Sequence, residues 1–424
     1  MFKEDKLKSG LNLIHAPLKS KAATLLIMFR VGSKYEEDKI AGLSHFLEHM
    51  FFKGTSKRPD TQSISEFLDE IGGEYNAFTS KEYTGFYAKV AVEHIERAFD
   101  FIADILLNSK FREEDIKRER GVIIEEMNMY QDNPMAYVGE KFEELLYDGQ
   151  PAGRLIIGSK KSVSSVERED FMDYYREHYW AGNAVLCLAG DIGEDKFRNL
   201  SEKYFGSMKP GKDVHESKKR VVEQQNGSKT LLMNKKTDQT HFCLGFRAYD
   251  VFNKKKYVLK VLSAILGENM SSRLFLEVRE KLGLAYYIRS GVETYTDSGY
   301  LVVQAGVDNM KAQKAIKASM LEFENILNKG ITEKELNKAK EYIRGKMMIG
   351  LETSDELASF LTNQKVLKDE IKTDWELFKN IEKVSIEDIR RVASEVFVEN
   401  GLNLSIIGPH KNEDNFKKIL KIKK

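Results

Sequence analysis

The chain has 424 residues, 67 Lys and Arg against 66 Asp and Glu for a formal charge of +1, and 42% hydrophobic residues. At roughly 100–200 residues per domain, that length and apolar content support two or more domains with their own cores. The near-neutral charge disfavours nucleic acid or an anionic membrane as partner, because such surfaces are bound by a Lys and Arg excess that is absent here.

Charges are scattered through the N-terminal segment MFKEDKLKSGLNLIHAPLKS, which argues against a secretory signal, and no stretch approaches the ~20 apolar residues of a membrane span. In chain order, alternation of β-branched and aromatic residues predicts strands near 8–16 and 23–32, and helical periodicity predicts helices near 40–53 and 61–71. Strands follow near 74–80 and 84–91, then helices near 92–108, 112–131, 135–147 and 163–179, and a strand near 183–190. Helices and hairpin strands cluster instead of alternating strictly, which favours an α+β fold over a doubly wound parallel sheet. The two cysteines, Cys187 and Cys243, sit in the apolar runs AVLCLAG and HFCLGF. They read as buried strand thiols in a reducing, cytoplasmic compartment, not as a disulfide framework.

The second half repeats the plan of the first. The strand ending at Arg30 resembles the one ending at Arg247, 217 positions on; the segment from Gly85 resembles that from Gly299, 214 on; and the strand ending at Gly190 resembles that ending at Gly408, 218 on. Two similar α/β-layered domains are therefore expected, over 1–210 and 229–424, joined by a polar linker over 211–228. The stretch GSMKPGK from Gly206 fits a phosphate-binding loop in spacing, but Asp213 stands where Ser or Thr is needed, Pro210 interrupts the loop, and a helix-like LSEKYF precedes it instead of a strand.

The segment GLSHFLEHMFFKGT carries the chemistry. His45, Glu48 and His49 fall at i, i+3 and i+4, so on a helix two imidazoles and a carboxylate share one stripe, beside an apolar stripe of Leu43, Leu47 and Met50. This is the H-x-x-E-H pattern in which the histidines hold zinc and the glutamate acts on the attacking water. Catalytic zinc takes three protein ligands and leaves a position open, whereas structural zinc closes with four ligands and favours cysteine. A third ligand is sought in the helical RERGVIIEEMNMY. There Glu119 and Glu126 are seven apart and share a face, while Glu125 points along the face of Val122 and Met129. Either Glu119 or Glu126 can ligate, leaving the other to steady a histidine.

Together with GGEYNAFTSKEYTGFY, RERGVIIEEM and SSRLFLEVREKLGLAYYIRSG, this segment resembles the pitrilysin/insulinase metallopeptidases, in particular the bacterial processing-protease type similar to the mitochondrial processing peptidase β subunit. The resemblance implies one zinc per chain held by His45, His49 and Glu126, with Glu48 as general base and Glu119 as the carboxylate behind a histidine. It implies substrate contacts from Arg279 and Tyr286, and a peptide-binding edge strand at Asn76, Ala77, Phe78 and Thr79. It further implies unfolded peptide substrates in a chamber of four domains, hence a homodimer or a heterodimer with a similar subunit, Arg279 and Tyr286 serving the partner's zinc. Shifting His45 by 217 lands on Leu262, where no such motif occurs, so the second domain is expected to lack metal. The competing expectation is a non-catalytic peptide-binding or scaffold subunit, whose metal motif would usually be broken.

Overall fold

The computed structural model describes residues 2–211 and 218–422; part of the expected linker, 212–217, and the last two lysines lie outside the described residues. The first half runs β1 (Lys3–Lys6), β2 (Asn12–Pro17), β3 (Ala22–Phe29), α1 (Leu43–Met50), α2 (Thr61–Asp69), β4 (Glu74–Thr79), β5 (Thr84–Ala91), α3 (Ile95–Leu107), α4 (Glu113–Asp132), α5 (Pro134–Leu146), α6 (Lys160–Ser165), α7 (Arg168–His178), β6 (Ala184–Gly190) and α8 (Glu194–Phe205). The second runs β7 (Lys229–Asn234), β8 (Gln239–Arg247), α9 (Lys256–Leu266), a π-helical turn (Phe275–Lys281), β9 (Ala285–Thr294), β10 (Gly299–Asp308), α10 (Ala312–Lys329), α11 (Glu333–Ile349), α12 (Ser354–Lys368), α13 (Asp374–Glu382), α14 (Ile386–Val396), β11 (Leu402–Gly408) and α15 (Asp414–Lys417). No helix among the described residues is long and apolar enough to cross a membrane.

The expected α+β class and internal repeat are both present. One sheet is ordered β1-β2-β6-β3-β5-β4 and the other β7-β11-β8-β10-β9. In each, the repeated segments form an antiparallel core, β6-β3-β5 and β11-β8-β10, with one parallel partner, β2 or β7, beside it. Two local readings change. Strand β1 was unexpected, since KEDK is exposed at every position and shows no alternation. The single helix expected near 163–179 is two, because Val166 is extended and α6 and α7 carry separate capping boxes at Ser159/Ser162 and Glu167/Asp170.

The two compact units are not the contiguous halves 1–210 and 229–424. One comprises Met1–Met127, Arg154–Lys219 and Ile349–Lys372, the other Asn128–Gly153, Arg220–Met348 and Thr373–Lys424. Side chains on β3 alternate between two faces and nearly all are buried, so that sheet needs cover on both sides. Helix α12, from the second half of the sequence, packs on β3 and β6, setting Ala358, Leu361 and Val366 against Leu26, Met28, Val185 and Cys187. Reciprocally α5, from the first half, packs on β8 and β11 of the other sheet, setting Val138 and Phe142 among Cys243 and Ile407. Both cysteines are buried and free.

Candidate active site

Helix α1 begins at Gly42, whose φ of +96° is left-handed and whose missing Cβ would lie 2.6 Å from the Ile157 carbonyl oxygen. The helix buries Leu43, Phe46, Leu47 and Met50, with Phe46 meeting Phe171 edge-on at 4.8 Å. That anchoring leaves His45, Glu48 and His49 half-buried along the opposite stripe. The two imidazole centroids are 4.6 Å apart.

Helix α4 supplies the carboxylates. Its buried positions Ile116, Glu119, Ile123 and Met127 turn one face inward, whereas Val122, Glu125 and Met129 are exposed. Glu126 reaches both imidazoles, with Oε1 3.7 Å from His45 Nε2 and Oε2 3.6 Å from His49 Nε2. Glu119 instead approaches His49 from the other side of the ring, its Oε1 2.9 Å from Nδ1. The two glutamates left open by helical spacing are thereby separated: Glu126 lies with the Nε2 atoms, and Glu119 lies behind one ring. The second oxygen of Glu119 is 2.7 Å from Lys53 Nζ.

This donor set fits zinc. One ligand atom from each of His45, His49 and Glu126 lies within 4.8 Å of the others; ligands about 2.1 Å from a tetrahedral zinc lie roughly 3.4 Å from one another, close to the His–Glu separations. Burial, then the neighbouring charge of His49, pushes the His45 pKa down to about 3, so this imidazole is neutral at pH 7 with a lone pair to offer. A proton on His49 Nδ1, donated to Glu119, leaves Nε2 as the free donor. Burial raises the Glu119 carboxyl, but hydrogen bonds from His49 and Lys53 outweigh it and hold the group below the usual range. Glu126 is raised, chiefly by burial, with attraction to His49 opposing it and the charge of Glu119 adding to it.

Glu48 is raised by burial, against a hydrogen bond from Thr79 Oγ1 to Oε2 at 2.5 Å and attraction to His49. Thr79 ends β4, which lies at the end of its sheet and, among the described residues, pairs with β5 alone. Along that strand Asn76 is exposed, its amide oxygen accepting from Ala77 N, and Phe78 covers Gly85 and stacks edge-on to Tyr83 at 6.1 Å. Arg279 and Tyr286 belong to the second unit. The Arg279 guanidinium lies 4.6 Å from the Phe275 ring centroid within the π-helical turn, and Tyr286 is 60% exposed. Leu262, at the position matching His45, is fully buried in α9.

Sequence reasoning missed two residues that shape this site, Lys53 and Glu36, and one contact, that of Thr79, expected on the peptide-binding edge, with Glu48. The buried Glu36 carboxyl accepts from Gly42 N and Ser44 N, each at 2.7 Å, at the start of α1. A Glu six residues before the N-cap Gly42 matches no capping pattern, so no local signal announces it. Burial pushes its pKa from the ordinary 4.5 to about 7, against the lowering effect of those two N–H groups. Between about pH 4.5 and 7 the group is therefore mostly protonated in the folded chain and mostly ionised in the unfolded one. Its stabilising contribution is full below about pH 4.5 and is lost as pH rises through about 7. Between pH 5 and 8 the wild type is expected to lose about 2.5 kcal/mol relative to Glu36→Gln, which cannot ionise. Denaturant unfolding of the metal-free proteins across that range measures it; a constant difference would exclude the shifted carboxyl.

Residues 13–160 match the family model described as insulinase (peptidase family M16), and residues 165–343 match that of the peptidase M16 inactive domain. The uncharacterized zinc protease YmxG of Bacillus subtilis is 36% identical over 90% of this chain and 91% of its own. An uncharacterized zinc protease of Rickettsia felis is 36% identical over 96% and 98%. Among solved structures, a protease from Helicobacter pylori superposes with a TM-score of 0.91 at 24% identity, covering 96% of this chain and all of that one. A peptidase M16 inactive domain from Pseudomonas fluorescens superposes at 0.88 with 17% identity, covering 97% and 98%. At these identities the two structures speak for the fold.

Proposed function

Since the chain belongs to the insulinase family, peptidase family M16, we propose that it is a zinc-dependent endopeptidase hydrolysing peptide bonds in unfolded peptides. The observation that carries this reading is the convergence of His45, His49 and Glu126 with Glu48 on the same helical stripe. Zinc bound there, one per chain, supplies a Lewis acid that polarises the scissile carbonyl and acidifies the attacking water. Glu48 accepts the proton of that water on Oε1, the oxygen not held by Thr79, and passes it to the leaving amine as the C–N bond breaks. Burial raises its pKa, which favours its taking up the proton of the water before returning it. The substrate adds to the edge of β4 as an extended strand through main-chain hydrogen bonds, so sequence preference is broad. Arg279 and Tyr286 contact the substrate, and the Tyr286 hydroxyl donates to the developing oxyanion.

The active form in this reading is a homodimer, or a heterodimer with a similar subunit, since the four-domain chamber of the resemblance requires two such chains. Its location is the cytoplasm, in keeping with two free, buried thiols. Hydrolysis of an internally quenched, unstructured peptide tests the whole reading. Wild type is expected to turn it over, Glu48→Gln and Arg279→Ala chains to be inactive alone, and their mixture, after subunit exchange, to recover activity through the dimers that carry one intact site. No recovery with exchange demonstrated overturns the shared site. Zinc-loaded wild type without turnover overturns the peptidase and leaves a peptide-binding subunit, the reading to which the inactive-domain match of residues 165–343 lends weight.

A further inference from the structure

Lys53 lies three residues beyond α1, where a cation also meets the negative end of the helix dipole. Its ammonium is 2.7 Å from Glu119 Oε2, while Glu119 Oε1 is 2.9 Å from His49 Nδ1. Each carboxylate oxygen thus has its own partner, and one glutamate joins the lysine to the imidazole. The Glu119 side chain is 6% exposed and that of Lys53 25%, so solvent and salt screen this pair far less than a surface pair. Glu119 is also one of two carboxylates that α4 turns toward His49, the other being Glu126. Without a cation behind it, that side chain would place a second uncompensated negative charge against the site and be held by the His49 hydrogen bond alone.

We propose that Lys53 is a positioning residue for the metal centre: it holds the second oxygen and the charge of Glu119, so that Oε1 stays on His49 Nδ1 and His49 keeps Nε2 turned toward Glu126. The inference rests on the zinc reading of His45, His49 and Glu126. It assigns to the lysine of the HMFFKGT segment a task that spacing along the helix does not reveal, since residue 53 lies outside α1.

Zinc affinity is the direct readout. Metal-free protein is titrated with zinc in competition with a chromophoric chelator, and melting of the metal-free forms is recorded in parallel. Lys53→Met is expected to weaken zinc binding about 10- to 100-fold, the range for outer partners of metal-bound histidine, and Lys53→Arg to recover it to within about threefold. Metal-free melting temperatures of the two variants should agree, which separates positioning from a general loss of stability. Lys53→Gln, which keeps a polar end without the charge, replaces the methionine variant if that chain does not fold, with the same loss expected. A neutral variant binding zinc within about twofold of wild type, or an arginine variant as weak as the neutral one, overturns the inference. Wild type that binds no zinc instead overturns the site reading beneath it, so the two failures are distinct.

Discussion

Glu48→Gln is expected to lower kcat for an unstructured peptide by about 10²–10⁴-fold, the range supplied by a positioned general acid–base, while zinc binding stays at the wild-type level. The substitution keeps the size of the side chain and a carbonyl oxygen for the Thr79 hydroxyl, which now donates to Glu48 Oε2 at 2.5 Å. What it removes is the capacity to accept a proton. Glu48 stands on the stripe of the two histidines but is not among the three residues whose donor atoms converge, so metal content separates loss of a base from loss of a ligand. Turnover within about tenfold of wild type, at equal zinc content, would remove Glu48 from the proton-transfer role.

The second large effect concerns the metal itself. Glu126→Gln should weaken zinc by more than about 100-fold, beyond the 10- to 100-fold range of an outer partner, and activity should fall with occupancy. The reason is geometric: Glu126 is the carboxylate within 3.7 Å of both Nε2 atoms, whereas Glu119 touches only Nδ1 of one ring. Glu119→Gln is accordingly expected in the milder range, and Glu125→Gln, exposed on the other face of α4, to leave affinity unchanged. A competition titration of the three variants reads the order directly. If Glu119→Gln costs as much as Glu126→Gln, the division between ligand and supporting carboxylate is wrong. A chelator should abolish wild-type turnover and added zinc restore it.

Much of this was legible along the chain because it is local. The positions of His45, Glu48 and His49 share a stripe in any helix, and the residues that bury the far side of α1, Leu43, Phe46, Leu47 and Met50, are interleaved with and adjacent to them in sequence. Offsets of 214 to 218 announced two copies of one sheet, and both sheets have the same core order. Period-2 alternation placed β4 and β5 within a residue or so of their ends, since a hairpin with one covered face writes its pattern into neighbouring residues.

Other features depend on which surfaces meet, and periodicity carries no record of that. Glu119 and Glu126 lie on one face of α4, two turns or about 10 Å apart along the axis; only the packing of α4 against α1 sets one beside the Nε2 atoms and the other behind His49. Lys53, Thr79 and Glu36 reach the site across 66, 31 and 6 to 8 residues of chain, through contacts that no helical or strand spacing encodes. Periodicity predicted α5 as a helix near 135–147, yet α5 and α12 each cover the sheet built mainly from the other half of the chain. An amphipathic stripe states that a helix must bury one side. Which sheet has a face left to receive it is decided by the folded chain as a whole.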